Sequence, residues 1–123
     1  MRLLIVDDSN MIRTRIARVV QGGGLHGVSI VGLARNGAEA LRIAKVAHPD
    51  VVTMDLTMPE IDGIQCIQEL LKIDPRVNIL VVSALSDKST AIQALKLGAR
   101  GFVAKPFSDE ELQLALLDVS ESL

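Results

Sequence analysis

The chain has 123 residues, enough for one compact domain and too few for a second of ordinary size, and 49% of them are hydrophobic against 23% charged, which excludes disorder as the main state. Thirteen Lys and Arg against fifteen Asp and Glu leave a net charge of -2, so there is no general electrostatic reason to bind nucleic acid or anionic lipid. Cys66 has no partner for an internal disulfide, and the apolar run Leu3 to Val6 is too short for a signal peptide or membrane span, so a cytoplasmic protein is expected.

In chain order, Leu3 to Val6 reads as a strand, and Met11, Ile12, Arg15, Ile16, Val19 and Val20 follow with helical period until Gly22-Gly23-Gly24 breaks it. Gln21 to Gly27 is expected as a mobile surface loop. Val28 to Ala34 reads as a second strand, and Asn36 with Glu39 as an N-cap and its capping-box partner, opening a helix that His48-Pro49-Asp50 closes. Val51 to Met54 is a third strand. A loop with Met58-Pro59 and Asp62-Gly63 leads to a helix from about Ile64 to Ile73, stopped by Asp74-Pro75. Val77 to Val82 is a fourth strand, Asp87 a cap for a helix to Leu97, Gly101 to Ala104 a fifth strand, and Ser108 with Glu111 the cap of a last helix. Strict alternation of strand and helix predicts an α/β fold, a doubly wound parallel sheet of five strands that are apolar throughout because both faces are covered. Residues 1–123 are expected to form a single domain.

Ligands of open parallel sheets collect outside the carboxyl ends of the strands. Those ends carry Asp7 and Asp8 after strand one, Asp55 after strand three, Ser83 after strand four and Lys105 after strand five. Each has an ordinary alternative: Asp7 or Asp8 as a cap of the first helix, Asp55 in a turn, Ser83 in a polar loop, Lys105 as a solvated charge. Together they fit those roles poorly, because two carboxylates about 4 Å apart repel by roughly 4 kcal/mol at an effective dielectric near 20. A compensating cation is implied, and an all-oxygen set suits Mg²⁺ with a phosphate oxygen among its ligands. Lys105 offers a point charge for that phosphate, Ser83 a hydroxyl donor, and Asp55 a carboxylate able to attack phosphorus. A transient aspartyl phosphate is the chemistry this set allows.

The strings Leu4-Ile5-Val6-Asp7-Asp8-Ser9, Met54-Asp55-Leu56-Thr57-Met58-Pro59 with Asp62-Gly63, Val82-Ser83-Ala84 and Lys105-Pro106-Phe107 closely resemble the receiver domain of two-component response regulators. The resemblance runs from end to end and, in a chain similar in size to the single-domain chemotaxis regulators of the family, implies their flavodoxin-like strand order 2-1-3-4-5. It implies that Asp55 is the phosphoacceptor, that Asp8, Asp55 and the carbonyl of Thr57 ligate Mg²⁺ with Asp7 helping through water, and that Lys105 contacts the phosphate. Ser83 and Phe102 match the switch residues, with Ser in place of the commoner Thr and Phe in place of Tyr. The Lys105-Pro106 bond is expected to be cis.

The resemblance further implies phosphoryl transfer from a histidine kinase or phosphotransfer protein, with Met11 and Arg15 beside the pocket as contact residues or, equally, an ordinary helix face. Output through the face of helix four, strand five and helix five is implied, to a target protein or a second copy. There Leu114 and Leu117 lie opposite the stripe Leu112, Ala115, Leu116 and Val119. Phosphoryl lifetime in the family is tuned two residues after the acceptor and two after the switch hydroxyl, here Thr57 and Leu85. Cys66 is expected to pack, and His26 and His48 to lie on the surface. Three other readings stay open: the receiver of a longer regulator with a methylesterase, DNA-binding or other output, a Mg²⁺-dependent aspartyl phosphatase of the haloacid dehalogenase type, and a receiver used as a scaffold without phosphorylation.

Overall fold

A computed structural model describes residues 1–22, 25–58 and 60–121; Gly23 and Gly24 of the expected glycine break, Pro59 of the Met58-Pro59 motif, and Ser122-Leu123 lie outside the described residues. Strand and helix alternate throughout: β1 (Arg2–Val6), α1 (Asn10–Gln21), β2 (Ser29–Ala34), α2 (Gly37–Ala47), β3 (Val51–Met54), α3 (Gly63–Ile73), β4 (Asn78–Ala84), α4 (Lys88–Leu97), β5 (Gly101–Lys105) and α5 (Asp109–Ser120). The strands form one parallel sheet in the order β2-β1-β3-β4-β5, as expected.

Side chains that alternate along each strand split the core in two. Leu4, Val6, Val52, Met54, Ile79 and Val81 pack against α2, α3 and α4 through Ala40, Ala44, Ile67, Leu70, Ala91 and Ala94. Leu3, Ile5, Leu80, Val82 and Val103 pack against α1 and α5 through Ile16, Val20, Leu112 and Leu116. Burial on both faces holds for β3 and nearly all of β1 and β4, but not for β2, where Ser29 and Leu33 are exposed. That corrects the expectation of five covered strands: β2 and β5 are edges, paired only with β1 and β4, and in β5 only Val103 is buried.

Local caps explain most boundaries. Ser9, not Asp7 or Asp8, caps α1 by accepting from the Ile12 N–H. Asn36 caps α2 by accepting from the Glu39 N–H, while Glu39 reaches back to the Arg35 N–H, so the reciprocal box is not closed. Ser108 and Glu111 do close a capping box on α5. Asp62 caps α3, accepting from the Gln65 N–H at 2.9 Å. Asp87 stands at the N-cap position of α4 but makes no side-chain cap bond, and a one-turn 3₁₀ helix, Leu85–Asp87, precedes it. The stretch expected as a mobile surface loop is pinned at Leu25, which is buried against the α1–α5 side of the core. The Lys105-Pro106 bond is cis.

Candidate functional site

The sheet register brings the acidic residues together. Val6 pairs with Met54, so Asp7 and Asp55 leave the ends of adjacent central strands, and the Asp55 N–H donates to the Val6 carbonyl. The carboxylates of Asp7, Asp8 and Asp55 each place an oxygen within 4.8 Å of the others. Asp7 and Asp55 are buried at 1% and 4% exposure, and Asp8 opens to solvent. β4 and β5 run further than expected and take in Ser83 and Lys105 as strand residues, with Ser83 opposite Ala104 and Ala84 opposite Lys105.

Lys105 spans the buried pair: its ammonium donates to Asp7 Oδ2 at 2.8 Å and stands 3.6 Å from Asp55 Oδ1. The Ser9 N–H donates to Asp7 Oδ1, the Thr57 N–H to Asp55 Oδ1, and the Arg13 guanidinium to the Asp7 backbone carbonyl. One ammonium does not balance three carboxylates. Burial first, then the neighbouring Asp7 charge, push the Asp55 carboxyl up to about 6, with Asp8 adding to the effect and Lys105 and the Thr57 N–H opposing it. Hard oxygen donors gathered around a charge deficit fit a divalent cation, since two of the three are buried where water cannot screen them.

The other residues singled out in the sequence are arranged less uniformly. Ser83 is wholly buried, and its hydroxyl donates to Asp87 Oδ2 at 2.9 Å. Thr57 is exposed and its hydroxyl donates to the same oxygen at 3.1 Å. Phe102 is half-buried on β5, against the α2–α4 side of the core. Met11 is 78% exposed, whereas Arg15 is engaged within the chain: its guanidinium lies 4.5 Å from the Phe107 ring centroid, donates to the Phe107 carbonyl and pairs with Asp109. Leu114 and Leu117 are 66% and 42% exposed, outside the buried stripe Leu112, Leu116 and Val119. Cys66 is buried and packs as expected, its thiol pushed up to about 12 by burial above all. His26 and His48 lie on the surface.

Three participants were not anticipated. Ser9 and Arg13 bracket Asp7 from the start of α1; the signal was Ser9 directly after the aspartates and Arg13 one helical turn on. Asp87 was read as a helix cap, and its spacing of four from Ser83 was the available clue.

Gly63 fixes the loop that carries Asp55. A Cβ there would stand 2.5 Å from Leu56 Cα and 2.7 Å from the Asp55 carbonyl oxygen, both backbone atoms that cannot step aside. Gly63→Ala should therefore destabilise the fold by about 1–3 kcal/mol, the usual range for overpacking, and displace Asp55. Denaturant melts and the Asp55 amide resonance check both effects; an unchanged midpoint and resonance would show that the loop yields.

Against known proteins, the response regulator receiver domain matches residues 3–117, and the chain belongs to that family. It is similar to the chemotaxis protein CheY of Thermotoga maritima, with 42% identity over 120 residues covering 98% of both chains. Similarity also extends to a protein-glutamate methylesterase/protein-glutamine glutaminase of Halobacterium salinarum, 44% identical over 105 residues that cover 84% of this chain and 29% of that one. Among solved structures, the CheX-CheY-BeF3-Mg²⁺ complex from Borrelia burgdorferi contains a chain matching at a TM-score of 0.89 and 29% identity, covering 98% of this chain and 89% of that one. Receiver domains of this kind are signalling switches rather than metabolic enzymes, and the three-aspartate pocket is the place where such domains bind Mg²⁺. No helix among the described residues is long and apolar enough to cross a membrane.

Proposed function

We propose that this protein is a phosphorylation-dependent switch whose Asp55 accepts a phosphoryl group from a phosphohistidine on a kinase or phosphotransfer partner. The observation that carries the reading is Lys105 set across Asp7 and Asp55, a buried acidic pair at the centre of the sheet edge with a third carboxylate beside it. An oxygen of Asp55 forms the new bond to phosphorus as the phosphorus–nitrogen bond breaks, and the leaving imidazole takes a proton from solvent. Asp8, Asp55 and the Thr57 carbonyl would hold Mg²⁺, with Asp7 acting through water; the ion supplies charge neutralisation on the transferring group. Lys105 holds a phosphoryl oxygen, and Ser83 and Phe102 carry the change outward. Residues 1–123 act as one such domain in the cytoplasm, with no nucleic acid or membrane as direct partner.

The experiment is exposure to acetyl phosphate with Mg²⁺ and with chelator. One phosphate per chain that survives a cold acid quench but is released by alkali or hydroxylamine, formed only with Mg²⁺, supports the reading; continuous turnover of phosphate esters would favour an aspartyl phosphatase instead. Use as the receiver portion of a longer regulator is the second reading, favoured by the methylesterase relative, of which this chain spans only 29%.

Three further expectations belong to this function. Neither Thr57 nor the 62% exposed Leu85 brings a carboxylate or amide to orient an attacking water, and Leu85 is proposed to shield the phosphorus. Thr57→Asn with Leu85→Glu should hasten loss of the phosphoryl group about 10-fold, a modest share of what a positioned acid or base supplies; a decay no faster than wild type would refute it. Met11 and Arg15 are proposed to face the phosphodonor. Leu114 and Leu117, beside β5, are proposed as part of the contact to a target or second copy, so Leu114→Glu with Leu117→Glu should abolish phosphorylation-linked association in sedimentation runs, and unchanged association would dismiss the face.

A further inference from the structure

Asp87 occupies the residue before α4, where a carboxylate ordinarily accepts from backbone N–H groups two or three positions on. It makes no such bond. Its Oδ2 instead accepts from the Ser83 hydroxyl at 2.9 Å and from the Thr57 hydroxyl at 3.1 Å, joining the end of β4 to the loop after β3. Ser83 is wholly buried, so no solvent competes for its proton, and a serine hydroxyl has only one proton to give. A bond to a charged acceptor is also the stronger kind. While Asp87 holds that proton, Ser83 has none for a phosphoryl oxygen.

We propose that Asp87 is a latch on the switch: its carboxylate holds the Ser83 hydroxyl in the unphosphorylated protein and must release it before Ser83 can turn to a phosphoryl group on Asp55. The inference rests on the reading of Asp55 as acceptor. Release has a destination at the start of α4, where no side-chain cap bond is made and Asp87 holds the preceding position; its backbone, at φ -93° and ψ 19°, must turn to the extended form of the other caps for one to close. One exchange of hydrogen bonds thereby links occupancy of the pocket to the start of α4, and the affinity of the pocket is reduced by whatever fraction of molecules is latched.

Beryllium fluoride with Mg²⁺ serves as a non-covalent stand-in for the phosphoryl group, titrated calorimetrically. Asp87→Ala should bind it about 10-fold more tightly than wild type, and Asp87→Asn, which keeps an oxygen but not the charge, should fall between. In a Ser83→Ala background the Asp87→Ala gain should vanish, because the latch has nothing to hold. The same gain in that background would reduce Asp87 to plain charge repulsion and overturn the latch. Wild-type binding with no change in Asp87→Ala overturns the latch alone, while a wild type that neither binds beryllium fluoride nor takes a phosphate on Asp55 brings down the acceptor reading with it. Should Asp87→Ala fail to fold in thermal melts, Asp87→Asn in the two Ser83 backgrounds decides on the same terms.

Discussion

Replacing Asp55 with asparagine should abolish phosphoryl uptake from acetyl phosphate in Mg²⁺, a loss of at least ~10³-fold, because without a nucleophilic oxygen the covalent step has no route. The amide has nearly the shape of the carboxylate and retains an oxygen for the Thr57 N–H, so the pocket survives while its chemistry does not. Asp8 also lies in the pocket, but it is exposed and lacks the Lys105 contact that Asp55 has. Phosphate content after quenching in acid, followed by peptide mapping, decides the matter. Equal labelling of the asparagine variant would place the acceptor elsewhere and remove the basis for the proposed function.

The same substitution should stabilise the protein when metal is removed. Folding raises the Asp55 carboxyl from its ordinary value of about 3.9 to about 6, a difference that corresponds to roughly 3 kcal/mol. Between those values the native state binds more protons than the unfolded state, so stability falls as pH rises through about 4 to 6 and stays low above it. In chelator at pH 7.5, Asp55→Asn should therefore exceed wild type by about 1–3 kcal/mol, or several degrees in Tm, and the gap should close towards pH 4 as the wild-type carboxyl protonates. Mg²⁺ should raise the Tm of wild type by mass action and that of the variant much less. Asp8→Asn should act in the same direction more weakly, since Asp8 is exposed. A gap independent of pH, or wild type indifferent to Mg²⁺, would refute the picture of crowded buried charge.

The strand and helix alternation and the acidic edge were legible because their causes are local, whereas the sheet order came from the resemblance to receiver domains. Runs such as Leu3 to Val6 and Val51 to Met54 are buried from both sides and are apolar for that reason, and strand ends in a parallel sheet all meet at one edge. Exposure of Leu33 was not legible, because Ser29 to Ala34 has a core strand's composition and only its place at the sheet edge uncovers it. Asp87 shows a different limit. The residue type that caps a helix is also the one that accepts from hydroxyls, and the choice depends on where Thr57, thirty residues away, is brought by the fold. Arg15 is similar: its pattern on α1 fits a free contact residue, and its place against Phe107 depends on the packing of α5 beside α1.

The division of the site between the middle and the margin of the sheet has a mechanical consequence. Asp7 and Asp55 directly follow β1 and β3, each flanked by strands on both sides, whereas Lys105 and Phe102 stand on β5, paired with β4 alone. Opening the central strands requires most of the molecule to come apart, while the margin can open at far smaller cost. Amide exchange in β5 should thus be faster than in β1 and β3. On the proposed function, the half of the pocket that accepts the incoming charge lies on the strands that are hardest to open and the half that answers it lies on the most compliant strand on that side of the sheet, so a small change in charge would do work on the part of the fold that resists least.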